Sequence, residues 1–215
     1  MPGWLSSVRR VAAEALVPAS VLVLRARTRE RRVALTFDDG PDALTPAYLD
    51  VLDRFGALAT FFVLGQHAAA RKDELLAIVR RGHQVASHGY SHRRFPTLKR
   101  DEIEGELRAT AALLPPAETQ HPLLRPPQGA TSLRSLLSCA RAGYTTVLWS
   151  LDSDDCRVQS ADQVAERVAP ERIEPGAIVL LHEGQSWTLE ALPRILSGLR
   201  EASYAMVTVD NLLAR

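Results

Sequence analysis

The sequence lacks several features that mark common protein classes. Its 215 residues include only two cysteines, Cys139 and Cys156, which form no CxxC motif and indicate no disulfide framework. Cys139 lies in an apolar helical pattern, so we expect it to be a small core residue. No GxGxxG or GxxxxGKS/T phosphate loop is present. Because this cysteine usage fits a reducing compartment, we expect a cytoplasmic protein.

An excess of charge of one sign is also absent. The 26 lysines and arginines nearly balance the 25 aspartates and glutamates, which leaves a formal net charge of +1. No global field therefore recruits nucleic acid or an acidic polymer. The arginine-rich stretch from Arg25 to Arg32 has no interleaved aromatic residues, and we interpret it as a solvated face or tail. The sequence predicts no nucleic-acid partner.

No hydrophobic run is long enough to span a bilayer. The longest candidate, Val11 to Leu24, has 14 residues and contains Glu14 and Pro18, which also makes it a poor signal-peptide core. We therefore predict no integral membrane span. Residues 1–31 are interpreted as an N-terminal segment, helical or partly ordered, that packs on the domain or touches a membrane surface peripherally. Export through a weak N-terminal signal is the alternative to a cytoplasmic location.

What the sequence does contain is a regular alternation of strand and helix patterns. From residue 32 onward the two alternate about seven times with short connections, which predicts parallel strands joined by crossover helices. We therefore predict one α/β domain over residues 32–215, with a closed barrel and an open doubly wound sheet as competing forms. The predicted strands are Val33–Phe37, Thr60–Leu64, His83–Ser87, Leu123–Leu124, Thr145–Trp149, Ala177–Leu181 and Met206–Val209.

Ionisable side chains fall at or just beyond the C-terminal ends of five of these strands. In parallel barrels and sheets those ends lie on one face, where active sites are built. The sequence therefore predicts one site on that face. The residues are Asp38 with Asp39, His88, Arg125, Asp155 and His182.

The acids and histidines among these residues have the composition of a metal site. Two carboxylates at the end of a core strand are costly unless a metal or an arginine pairs with them, although Asp38 and Asp39 could instead open a solvated loop. His88 and His92 are four residues apart and can converge on one ion. Together with Asp39 they offer two nitrogens and one oxygen, a set suited to zinc or a similar divalent ion.

The order of these motifs resembles that of a known family. Thr36-Phe-Asp-Asp-Gly-Pro41, His88-x-x-x-His92, Arg125-Pro-Pro, Asp155 and Leu180-Leu-His182 are similar to the motifs of the polysaccharide deacetylases, which form carbohydrate esterase family four. That family includes the nodulation-type chitooligosaccharide deacetylases. The resemblance runs from about Arg32 to the C-terminus. It implies a distorted (β/α)7 barrel and metal-dependent removal of N-acetyl groups from an N-acetylated sugar or oligosaccharide.

The resemblance also implies a role for each matching residue. Asp38 would be the general base, held by Arg125, and His182 would be the general acid, oriented by Asp155. The metal ligands would be Asp39, His88 and His92. Zinc is the expected ion, with cobalt or nickel as alternatives.

Several positions depart from the family pattern and bear on the substrate. Gln128 stands where the family usually has tyrosine, and Cys156 stands where an aromatic residue is usual. Gly89 and Arg93 replace a small hydroxyl residue and a proline around the histidine pair. We predict that the substrate pocket includes Gln128, Cys156, Leu180 and Trp187.

Alternatives remain for two of the pocket residues and for the activity. The Cys156 thiol could instead be a metal ligand or a reactive group, and Trp187 could pack against its own helix rather than stack on a sugar. The altered pocket could hydrolyse another amide or ester, for example on an antibiotic or a lipid-linked sugar. The alternative of another class is a catalytically silent carbohydrate-binding domain.

Overall fold

The structure is a computed structural model, and it describes residues 18–115 and 122–214. Within these residues the fold is built on one sheet of nine short strands, in which every paired strand runs parallel to its neighbour. The strands are β1 (Leu22–Val23), β2 (Arg32–Asp38), β3 (Ala59–Val63), β4 (Gln84–Ser87), β5 (Leu123–Leu124), β6 (Thr145–Val147), β7 (Leu151–Asp152), β8 (Ile178–His182) and β9 (Ala205–Met206).

Helices connect most of these strands. They are α1 (Thr45–Phe55), α2 (Gly65–Ala70), α3 (Lys72–Arg80), α4 (Arg100–Ala111), α5 (Leu133–Arg141), α6 (Ala161–Arg167), α7 (Ser186–Glu201) and α8 (Val209–Leu213). In the part of the chain that the structure describes, none of them has the length and apolar character that crossing a bilayer requires.

One kinked segment closes the sheet into a distorted barrel. The strand order is β1–β6–β5–β4–β3–β2–β8–β7, and β9 adds to the start of β2. Strands β6 and β7 lie on the same stretch of chain: Thr145 and Thr146 pair with β5, whereas Leu151 pairs with Val179 of β8. Residues 145–152 therefore link β5 on one side of the barrel with β8 on the other. The predicted α/β fold with a distorted parallel barrel is confirmed.

The centre of the barrel wall is buried on both faces. Every residue from Val33 to Asp38 in β2 and every residue of β3 is buried, as expected for parallel strands covered by helices. Phe37 stacks on Phe61 at 5.2 Å between ring centroids, and Tyr48 from α1 meets Phe37 edge-on at 5.3 Å. This apolar packing makes β2 a rigid support for the acids that follow Phe37.

The N-terminal part of the described chain differs from the sequence prediction. Leu22 and Val23 form a strand paired with β6, and Leu24 beside them is buried. Within the predicted N-terminal segment, Leu22–Val23 are therefore strand rather than helix, and their apolar side chains fill the core next to β6. Residues 1–17 lie outside the described part.

The last predicted strand is also shorter than expected. It covers Ala205–Met206, and Val209 begins α8 instead of ending a strand. The reason is local: the Thr208 hydroxyl accepts a hydrogen bond from the Asn211 backbone N–H and caps the helix.

Candidate metal and catalytic site

The predicted site residues meet at the C-terminal ends of the strands. Asp38 and His182 are the last residues of β2 and β8 and stand opposite each other in the sheet register. His88 and Arg125 directly follow β4 and β5, and Asp155 lies in the loop after β7. A cavity of about 1060 Å³ opens on this face, and its lining includes Asp38, Asp39, His88, His92 and His182.

Three of these side chains form a cluster that could hold a metal ion. Asp39 Oδ1 lies 3.4 Å from His88 Nε2 and 3.3 Å from His92 Nε2, and one ligand atom from each residue falls within 4.8 Å of the others. Asp39 Oδ1 is also buried without a hydrogen-bond partner among the described residues. Since a buried carboxylate oxygen without a partner is costly, and two imidazoles with one carboxylate suit zinc, these residues fit a divalent ion.

The ring of His88 is oriented as a metal ligand would be. Its Nδ1–H donates to the Arg125 carbonyl oxygen at 2.8 Å, which leaves the Nε2 lone pair facing Asp39. Burial lowers the pKa of His88, although the charges of Asp38 and Asp39 oppose that effect. The neutral imidazole, the form that binds metal, is therefore favoured.

The loop that carries both histidines is held by a residue that the sequence did not single out. The Glu106 carboxylate on α4 accepts hydrogen bonds from the backbone N–H groups of Tyr90 at 2.7 Å and Ser91 at 2.8 Å. Gly89 has a φ of 78°, a left-handed conformation that disfavours the hydroxyl residue usual in the family. In sequence, Glu106 is indistinguishable from the other acids of a solvated helix.

His67 also contacts the cluster. Its Nδ1 lies 2.7 Å from the carbonyl oxygen of Asp39, which supports the residue that carries the central carboxylate. The sequence offers no motif partner for His67 and so does not indicate this contact. His121 lies outside the described residues.

Asp38, the other carboxylate of the Asp38–Asp39 pair, binds Arg125. Arg125 is completely buried, and its Nη1 donates to Asp38 Oδ1 at 2.7 Å and to Thr36 Oγ1 at 2.8 Å. The guanidinium carbon lies 4.1 Å from the centroid of the Phe62 ring. The other oxygen of Asp38 remains directed at the cluster, 3.7 Å from His88 Nε2. Asp38 is thus fixed and available as a base beside the metal ligands.

At the end of the neighbouring strand β8, a histidine is held in its protonated form. His182 Nδ1–H donates to Asp155 Oδ1 at 2.7 Å, and the His182 backbone N–H donates to Asp155 Oδ2 at 2.8 Å. Burial of the ring opposes its charge, but the hydrogen bond and the charge of Asp155 outweigh burial and raise the pKa of His182 to about 9. His182 therefore carries a proton at neutral pH, as a general acid must.

The structure favours packing over sugar stacking for Trp187. Its indole N–H donates to the Asp155 carbonyl oxygen at 2.7 Å, and the Thr188 hydroxyl donates to Asp155 Oδ2 at 2.8 Å. The Trp187 ring packs against the main core, and it is not among the described residues that line the cavity. Trp187 therefore holds the backbone of Asp155, and Thr188 holds the carboxylate that binds His182.

The other predicted pocket residues do line the cavity. These are Gln128, with a φ of 59°, the exposed Cys156 and the buried Leu180. Partial burial raises the pKa of the Cys156 thiol, and the charge of Asp155 adds to that shift. The thiol is therefore the favoured form, and Cys156 is not part of the metal-binding group among the described residues.

A buried carboxyl next to His182 is also not indicated by the sequence. Glu183 Oε1 accepts a hydrogen bond from the Thr45 hydroxyl at 2.5 Å, whereas Oε2 is buried without a hydrogen-bond partner in the described part. The carboxyl packs directly on Gly40, where a β-carbon would overlap it. Burial raises the pKa of Glu183 to about 8. Glu183 thus connects the turn after Asp39 to the strand end that carries His182.

Comparison with known proteins agrees with this arrangement. The family model described as polysaccharide deacetylase matches residues 25–147. The peptidoglycan-N-acetylglucosamine deacetylase PgdA of Listeria monocytogenes is 33% identical over 201 residues, which are 91% of this chain and 42% of that protein. This chain therefore spans less than half the length of PgdA. A chitooligosaccharide deacetylase of a Bradyrhizobium species is 39% identical over 159 residues, covering 72% of this chain and 71% of that protein.

A solved structure shares the fold almost from end to end. The crystal structure of the Bc1960 peptidoglycan N-acetylglucosamine deacetylase superimposes with a TM-score of 0.84 at 28% identity, covering 90% of this chain and 92% of that one. With the family model matching more than half of the sequence, the chain belongs to the polysaccharide deacetylase family.

Proposed function

We propose that this protein is a metal-dependent hydrolase that removes N-acetyl groups from an N-acetylated glycan. The observation that carries the proposal is the presence of two ion pairs beside the cluster, at the ends of neighbouring strands: Asp38 with Arg125, and His182 with Asp155. A domain that only binds sugar needs no base and no protonated histidine facing one cavity. Relatives named as deacetylases of peptidoglycan and of chitooligosaccharides support an acetylated aminosugar as the substrate.

The chain's own residues divide the chemistry between them. A divalent ion bound by Asp39, His88 and His92 would polarise the amide carbonyl and acidify a water molecule. Asp38 accepts the proton of the attacking water, and Arg125 keeps that carboxylate oriented and ionised.

His182 completes the reaction. It donates its proton to the nitrogen of the leaving amine as the carbon–nitrogen bond breaks, and Asp155 stabilises the imidazolium until then. The products are acetate and a free amino group on the sugar.

Zinc is the proposed ion because two imidazoles and one carboxylate are typical of catalytic zinc sites. Cobalt and nickel accept similar ligands, so the metal is tested directly. Metal-free protein is reloaded with each ion in turn, and the bound metal and the acetate released are measured together. We expect one bound ion per chain and the highest turnover with zinc. A higher turnover with cobalt or nickel would reject zinc.

The activity is tested by acetate release from chitooligosaccharides and from peptidoglycan fragments by metal-loaded protein. We expect turnover with the protein and a loss of about 10²–10⁴-fold in Asp38→Asn, the usual contribution of a general base. Asp162→Asn is the matched control, because Asp162 is exposed on α6 and pairs only with Arg194 among the described residues. Metal binding without any acetate release would favour a silent binding domain, and turnover on another acyl compound alone would favour a different deacylase.

A further inference from the structure

The start of α2 contacts both chain segments that carry the metal-binding side chains. Two successive backbone N–H groups there donate to the carbonyl oxygens of Gly40 at 3.0 Å and of Gly89 at 2.9 Å. Gly40 directly follows Asp39, and Gly89 directly follows His88. The first N–H groups of a helix have no partner within that helix, so they are free to bind these carbonyl oxygens. The start of α2 therefore fixes the spacing between the carboxylate and the loop that carries the histidines.

One side chain of α2 adds a contact to Asp39 itself. His67 Nδ1 lies 2.7 Å from the Asp39 carbonyl oxygen. Because a carbonyl oxygen can only accept a hydrogen bond, His67 Nδ1 carries a proton and donates it. His67 does not belong to the group of described residues whose ligand atoms meet. It therefore acts on the metal site through the backbone of Asp39 and not as a ligand.

The backbone of Asp39 has a conformation that needs support. Its φ of 73° lies in the left-handed region, which residues with a β-carbon rarely occupy. In this conformation Asp39 Oδ1 lies 3.4 Å from His88 Nε2 and 3.3 Å from His92 Nε2. A relaxation of φ to negative values would turn the Cα–Cβ bond and carry the carboxylate away from both imidazoles. The position of this ligand therefore depends on contacts that hold its backbone.

We propose that His67 is a positioning residue that sets the affinity of the protein for its metal ion. The hydrogen bond to the Asp39 carbonyl oxygen holds the left-handed backbone before the ion binds, so that binding does not have to reorder the carboxylate. Without this hydrogen bond, part of the binding free energy would be used to restore the conformation. The inference rests on the proposed function, because it assumes that Asp39, His88 and His92 bind a divalent ion.

The test measures the Kd for zinc by competition with a chromophoric chelator, in the unsubstituted protein and in two variants. His67→Leu keeps the bulk of the side chain and removes the donor, whereas the amide nitrogen of His67→Asn can take the place of Nδ1. We expect His67→Leu to raise the Kd for zinc by about tenfold, the scale of one lost hydrogen bond around a metal site. His67→Asn should stay within about threefold of the unsubstituted protein.

Gln66→Ala is the matched control on the same helix. Gln66 is exposed, and alanine retains its backbone N–H, which donates to the Tyr90 carbonyl oxygen at 3.1 Å. The Kd for zinc of this variant should change by less than about threefold. The visible absorption of the cobalt-loaded proteins gives a second readout, because the d–d bands report the geometry of the ligands. We expect these bands to shift in His67→Leu and to stay in place in His67→Asn and Gln66→Ala.

An unchanged Kd in His67→Leu, or an equal rise in His67→Leu and His67→Asn, would overturn the role of His67. A lower unfolding midpoint in the presence of a chelator, without a change in Kd, would also overturn it, because a purely structural histidine gives that result. Should His67→Leu fail to fold, His67→Gln replaces it, since the longer side chain places its amide nitrogen near the position of Nε2.

Failure of the proposed function is distinguishable from failure of this inference. Zinc binding without acetate release would reject the deacetylase activity alone, and the comparison of Kd values would still decide the role of His67. A protein that binds no divalent ion would overturn both.

Discussion

Two histidines that line one cavity have pKa values shifted in opposite directions, and their Nδ1 atoms contact different kinds of partner. His88 Nδ1 donates to a backbone carbonyl, and the pKa of its buried ring is lowered. His182 Nδ1 donates to the Asp155 carboxylate, and its pKa is raised to about 9. Burial lowers the pKa of both rings. For His182 the Asp155 carboxylate outweighs burial, whereas the neutral carbonyl behind His88 supplies no charge to oppose it.

This contrast shows how one residue type fills two roles. A neutral acceptor fixes the tautomer without stabilising a positive charge, which leaves Nε2 of His88 free to bind an ion. An ionised acceptor stabilises the imidazolium, so that His182 keeps a proton to donate. The roles of the two histidines are therefore set by residues that do not face the substrate.

Exchange of either histidine for alanine should separate these roles most strongly. His88→Ala should lose bound metal and reduce turnover by about 10³-fold or more, because two ligands hold an ion poorly. His182→Ala should lose turnover by about 10²–10⁴-fold and keep the metal. Metal content by elemental analysis and acetate release are measured on the same samples. Loss of metal from His182→Ala would contradict the division of roles.

Removal of the charge behind His182 should have the next largest effect. Asp155→Asn keeps the shape but not the carboxylate, so the pKa of His182 should fall from about 9. We expect kcat to drop about 10²-fold at neutral pH and the alkaline limb of the pH–rate profile to move to lower pH. Asp162→Asn, exposed on α6, serves as the control. An unmoved alkaline limb would mean that Asp155 does not set the protonation of His182.

The sequence predicted which residues meet at the site, because leaving their charged groups unpaired beside a buried strand would be energetically costly. Acids such as Asp38 and Asp39 after a wholly apolar strand need a partner, and the strand ends of a parallel fold are gathered on one face. Arg125 and Asp155 also came from this placement. The alternation of strands and helices was enough for the fold class.

The closure of the barrel and the roles of Glu106 and Glu183 could not be predicted, because they depend on tertiary contacts that no local sequence pattern indicates. The closure of the barrel needs one segment to pair first with β5 and then with β8, and the predicted strand Thr145–Trp149 does not reveal that change of partner. Glu106 is an acid on a helix, the most common place for solvated charge, and Glu183 follows His182 at the start of a loop, where an acid can equally be solvated. Only tertiary packing shows that Glu106 binds backbone N–H groups and that Glu183 is buried against Gly40.

Protonation of His182 should also appear in the pH dependence of stability. Its folded pKa of about 9 lies above the ordinary value of 6.5, so its stabilising contribution is complete below pH 6.5 and is lost as pH rises through 9. The shift corresponds to about 3 kcal/mol. Denaturant unfolding at pH 6 and pH 10, with a chelator present, should show a smaller difference between the two pH values for His182→Asn than for the unsubstituted protein. Equal differences would contradict the raised pKa.

The smallest effect is expected for Glu183→Gln, because the Glu183 carboxyl is mostly uncharged in the folded protein at pH 6.5. Burial raises its pKa to about 8, so the carboxyl is mostly neutral at pH 6.5 and Glu183→Gln preserves both its charge and its shape. We expect kcat/KM to change less than about threefold at that pH, because the amide oxygen can still accept from the Thr45 hydroxyl. Glu183→Ala, which opens a cavity against Gly40, should lower kcat and the unfolding midpoint together. Since a raised carboxyl pKa means that stability is lost as pH rises from 4.5 through 8, the glutamine variant should lose less stability than the unsubstituted protein over that range. A loss of more than tenfold in Glu183→Gln at pH 6.5 would show instead that Glu183 acts as an anion, and that a buried charge supports the turn after Asp39.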